Sequence, residues 1–112
     1  MLAAQMIYRT TRSFPSEERF GLTNQMRRCA VSIPCNIAEG HARSGPAEFR
    51  HFISIAMGSV AELETQVILS ANLGYLEETD QQELLNILMD IGKMLRGLDK
   101  SLISRIKHKP SD

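Results

Sequence analysis

The chain has 112 residues, and its thirteen basic side chains are balanced by thirteen acidic ones. It therefore has room for one domain, 1–112, and no net charge to draw it towards a polyanion or a membrane surface. Aromatic residues make up only 5% and tryptophan is absent, so a core built from Leu, Ile, Ala and Met favours helices over a β-sandwich.

Four helical segments follow in chain order. Residues 2–12 form a short first helix that ends before Phe14-Pro15. The second runs over about 23–39. It places Met26, Cys29, Ala30, Ile33 and Ile37 on one face by their spacing of three and four, takes a kink at Pro34, and stops at Gly40. The third starts after Ser44-Gly45, with one of the two as N-cap and Pro46 in the first turn, and runs to about Leu73 before Gly74. The fourth covers about 79–107, with Thr79 and Gln82 as a capping box and Pro110 beyond its end. Its Leu84, Leu88, Ile91, Leu95, Leu98 and Leu102 repeat at four and three, the seam of an antiparallel bundle.

The third segment is apolar nearly all round. Phe49, Phe52, Ile53, Ala56, Val60, Leu63 and Val67 form one stripe. The opposite side, with Ile55, Gly58, Ala61, Thr65 and Leu69, is small or apolar as well. A helix of that kind is buried on two sides, so a second subunit is expected on this face. The first helix is less than half as long as the third, which leaves an apolar groove at one end for a neighbour or a missing N-terminal stretch to fill. Glu62 and Glu64 in the middle of the third segment argue against a membrane span. Cys29 and Cys35 lie about 9 Å apart along a helix and point in different directions, so free thiols in a reducing compartment are expected. With no signal-peptide pattern at the start, the chain reads as cytoplasmic.

The chemistry is sparse. Glu48 and His51 make one Glu-x-x-His pair, which di-iron bundles use twice together with two further carboxylates; here it stands alone and reads as a surface pair. Glu62 and Glu64 fall about 200° apart around a helix and do not act as one carboxylate pair. There is no nucleophile elbow, phosphate loop or paired zinc spacing, so the expectation is no enzyme, no metal, no cofactor and no small-molecule substrate. Arg27, Arg28 and Arg43 cluster with Asn36 and Glu39. As a structural network, Arg27 or Arg28 would pair across helices with Glu39, Glu62 or Glu64; as a functional one, the arginines would meet phosphates. Lys93, Arg96, Lys100 and Lys107 share one side of the fourth segment and offer either a solvated face or a nucleic-acid stripe.

Several runs carry a family resemblance: Phe14-Pro15, Gly21-Leu22, Arg27-Arg28, Ser32-Ile33-Pro34, Asn36-Ile37-Ala38-Glu39-Gly40, Gly58-Ser59, Glu62-Leu63-Glu64 and Gly74-Tyr75. From Ala4 to about Leu102 the chain resembles the four-helix bundle proteins first noticed as reading frames in intervening sequences of bacterial 23S ribosomal RNA genes. More distantly it is similar to the accessory protein of diversity-generating retroelements, a strongly basic pentameric bundle that binds nucleic acid. The resemblance implies an all-α, antiparallel up-down-up-down bundle with a short first helix, a homo-pentamer, and association with RNA or DNA by genomic origin. It also implies a longer first helix with a Trp-containing segment, so a truncated start is expected. The functional expectation is a non-enzymatic, oligomeric scaffold that binds RNA or DNA; its rival is a protein-interaction module using an apolar helix face.

Overall fold

The computed structural model describes residues 2–108 and is all helical: α1 Leu2–Thr11, a 3₁₀ turn Ser16–Glu18, α2 Leu22–His41, α3 Pro46–Asn72 and α4 Glu78–Lys107. Pro110 lies outside the described residues. Consecutive helices pack against one another and α1 returns to α4, while the diagonal pairs approach less closely. The result is an antiparallel four-helix bundle, elongated to 58 Å, in which α1 covers only one end. One core runs through it: Met6 and Ile7 from α1, Met26 and Ile33 from α2, Ile53, Leu63 and Val67 from α3, and Leu84, Leu88 and Leu102 from α4. Helix α3 is long and apolar enough to cross a membrane. Its apolar stripe is nonetheless spent on this core, and Glu62 and Glu64 sit at its middle.

The helix ends follow local chemistry, with three departures from the expected pattern. The first concerns Gly40, which does not stop α2; the helix continues to His41. Gly40 is there because α3 comes close. A Cβ on it would lie 2.8 Å from the Phe49 ring and 2.8 Å from the Phe52 Cβ, so only hydrogen fits. The second concerns α4, whose N-cap is Glu77 rather than Thr79, with no side-chain cap bond. The helix begins one residue early, and the Gln82 amide donates forward to Asn86 Oδ1 (3.1 Å) instead of back to a cap. The third concerns the groove beyond α1, which is largely closed: Ile33, Leu95 and Leu102 are buried and Ile37 and Leu98 half-buried. Pro34 is carried inside a continuous α2.

Two positive-φ glycines do mark boundaries. Gly45 (φ 91°) is the N-cap of α3, followed by Pro46 in the first turn. Gly74 (φ 80°) ends the same helix in a Schellman motif, with Tyr75 N–H donating to Ser70 O (2.9 Å) and Gly74 N–H to Ala71 O (3.0 Å). Tyr75 then reaches across the end of the bundle. Its hydroxyl donates to Glu18 Oε2 (3.0 Å), its ring packs against Phe14, and Glu18 Oε1 accepts the Leu22 N–H that opens α2. That hydrogen bond to Glu18 raises the Tyr75 phenol above its ordinary value.

Because Gly40 fits only without a side chain, Gly40→Ala forces α2 and α3 apart. It is expected to cost about 1–3 kcal/mol, in the range of core overpacking. Urea unfolding followed by circular dichroism reads this directly, and an unchanged midpoint would remove the close-approach account.

Candidate interaction surfaces

Between α2 and α3 the seam turns polar on its outer side. The two signature runs meet there: Ser32 and Asn36 from α2, Ser59 and Glu62 from α3. The Ser32 and Ser59 hydroxyls share a hydrogen bond (2.9 Å). Asn36 Nδ2 donates to the Ser32 carbonyl (2.8 Å) and to Ser32 Oγ (2.9 Å). One turn away the Cys29 thiol donates to the Ser59 carbonyl (3.1 Å) and faces Glu62 Oε2 at 3.6 Å. Burial, and next the Glu62 charge, push this thiol from an ordinary 9.0 up to about 12. A neutral thiol held as a donor is a structural group; nucleophilic cysteines are tuned the opposite way. Gln25, Arg28 and Glu62 complete the rim of a cleft of about 290 Å³ over these groups.

The predicted polar residues part company here. Glu62 lines the cleft, and Asn36 joins its network through Ser32. Glu64 lies on the other side of α3, lining a hollow over α4 with Met57, Met89 and Arg96. Glu39 pairs with Arg43 in the turn just past the end of α2, and the Arg43 guanidinium lies 5.2 Å over the Phe52 ring. Arg27 makes no cross-helix ion pair with a glutamate. Its Nε donates to Thr11 Oγ1 (2.9 Å) and its guanidinium stacks 4.8 Å above Tyr8. It lies on the flank of α2 that faces α1, so it ties those two helices together. Arg28, one residue on, projects to solvent at the cleft rim. The structure therefore separates the arginine cluster that the sequence placed together.

Sequence reasoning missed Cys29, Ser32 and Ser59 as the centre of the network. Their signal was present, since both serines stand inside the signature runs. The other ion pair among the described residues joins Arg50 to Asp99 (2.9 Å) across α3 and α4. Among these residues no three His, Cys, Asp or Glu side chains converge as metal ligands; Glu48 and His51 border an open hollow with Arg43.

Two outward faces remain. Lys93, Arg96, Lys100 and Lys107 are all exposed along α4, Arg96 at the edge that borders the hollow with Glu64, and none forms an ion pair with a described residue. The outward face of α3 carries Gly58, Ala61 and Thr65, all exposed, flanked by Ile55, Ile68 and Leu69 at 41–47% exposure.

These features define an all-α four-helix bundle with a polar α2–α3 seam and outer faces that no described helix covers. The chain belongs to the 23S rRNA-intervening sequence protein family, whose sequence profile matches residues 1–97. No curated protein matches it.

The two thiols should behave differently. Cys35 is exposed and Cys29 buried, so the native protein should present one fast-reacting thiol to a disulfide reagent at pH 8 and both after denaturation. The sign of the pH effect follows from the raised value. Above pH 9 the unfolded chain releases the Cys29 proton and the folded chain keeps it, so stability falls as pH rises from 9 towards 12. Replacing Cys29 by Ser should flatten that fall in pH-resolved urea titrations.

Proposed function

We propose that this protein is a non-enzymatic scaffold that assembles with copies of itself, as a ring of five by family resemblance, and docks RNA or DNA on the outer face of α4. The observation that carries the nucleic-acid reading is the exposed row Lys93, Arg96, Lys100 and Lys107, whose cations have no carboxylate partner among the described residues. Phosphate neutralisation needs such free clustered cations. Of the arginines first considered, Arg28 stays available at the cleft rim, while Arg27 and Arg43 are engaged within the chain. Repeating the α4 row around an assembly multiplies a patch that is modest on one neutral chain. The free cysteines fit a cytoplasmic setting.

Self-assembly rests on the exposed apolar face of α3, which would otherwise stand in water. The same face supports a second reading, a module that receives a different protein.

Fluorescence anisotropy with a labelled 20-nucleotide RNA and a DNA duplex tests the first reading. If all four cations neutralise phosphates, log K against log salt should fall with a slope of about −3.6 per protomer on duplex DNA. The triple reversal Lys93→Glu, Arg96→Glu and Lys100→Glu should abolish binding and leave the oligomer intact by light scattering. Salt-insensitive or absent binding by the native protein would sink the nucleic-acid reading and leave the protein-partner one.

A further inference from the structure

We propose that the copies meet head to tail: the outer stripe of α2 on one chain seats against the outer face of α3 on the next, antiparallel to it. This deepens the self-assembly reading above and rests on it. The starting point is that α2 has an unpartnered stripe too. Arg28, Val31, Cys35 and Ala38 recur at spacings of three and four, and all are exposed. On α3, Ser54, Gly58 and Ala61 recur in the same way and are exposed as well. Both stripes have the periodicity of a helix–helix seam, and neither has a partner within the chain. Gly58 is telling. A side chain there would meet nothing within 4 Å, so its own fold does not require glycine, which costs about 1 kcal/mol against alanine inside a helix. A second backbone lying close would require it.

Charge and symmetry select one arrangement. Arg28 and Glu62 line the same cleft yet form no ion pair within the chain. With α2 of one copy antiparallel to α3 of the next, Arg28 falls beside Glu62, Val31 beside Ala61, Cys35 opposite Gly58 and Ala38 opposite Ser54. Reversing the direction takes Arg28 away from Glu62 to the Arg50–His51 end, where Arg50 and Asp99 already pair with each other and leave no free carboxylate for it. Closure makes the same demand independently. Helices α2 and α3 occupy adjacent corners of the bundle, so their outward directions differ by roughly 90°. A contact between unlike faces so placed turns each copy by about 90°, which closes a ring after about four, and a turn of about 72° closes one after five. In such a ring, with its axis along the bundle, α2 and the neighbouring α3 run antiparallel.

Cys35 serves as a built-in probe. Full-length Gly58→Cys, treated with copper-phenanthroline, should give a ladder of covalent multimers on a non-reducing gel, since every chain bonds to two neighbours. Adding Cys35→Ser should remove the ladder, with helix content checked by circular dichroism. Dimers persisting in the Gly58→Cys, Cys35→Ser chain would mean that α3 meets α3, which overturns the proposal. An oligomer by light scattering with no cross-link overturns it as well, while self-assembly stands. A monomer removes both. A second measurement does not depend on disulfide chemistry. Arg28→Glu and Glu62→Arg should each raise the half-assembly concentration at least tenfold, and combining the two in one chain should restore assembly. Failure of the double variant to recover counts against the contact.

Discussion

The close approach of α2 and α3 is the constraint on which the rest of this bundle depends. At one end it requires a bare Cα at Gly40 beneath Phe49 and Phe52. In the middle it is narrow enough for two serine hydroxyls to bond directly and for a thiol to reach the opposite backbone. Towards the other end Ser70 donates to the Met26 sulfur at 3.2 Å. Small polar groups at such a seam exchange hydrophobic area for proximity, and their hydrogen bonds fix the register more sharply than aliphatic packing would.

That seam also determines which surfaces are left over. With α2 on one flank of α3 and α4 on the other, Glu62 and Glu64 are sent to different hollows although they are two residues apart. The remaining arc of α3 has no helix to cover it. A short α1 completes only one end of the bundle, where Arg27 joins it to α2 through Thr11 and Tyr8. Of the cations on α4, Lys93, Lys100 and Lys107 stand clear of both seams, whereas Arg96 borders the hollow between α3 and α4 that Ala61 and Glu64 also line.

Much of the fold was legible in the residue pattern. The seam of α4, the positive-φ glycine after α3 and the Gly45-Pro46 start are local signals, written within a turn or two of where they act. The end of α2 was not legible, because Gly40 answers to Phe49 and Phe52, a contact between helices. The start of α4 misled for a related reason: a capping-box pattern needs the backbone to begin at Thr79, and it begins earlier. For the site, the sequence gathered Arg27, Arg28 and Arg43 by proximity in the chain. Successive helical positions diverge by about 100°, and each arginine found a different neighbour. The serines were overlooked because a small hydroxyl announces nothing until a second one faces it.

Glu18 gives the connector between α1 and α2 a further role. One carboxylate oxygen opens α2 through Leu22 while the other takes the Tyr75 hydroxyl from the turn between α3 and α4. The two helical hairpins are thus measured against each other by a single side chain. The segment between Arg12 and Gly21 works as a ruler, and adding or deleting one residue in it would lose the start of one helix and the clasp on another turn together.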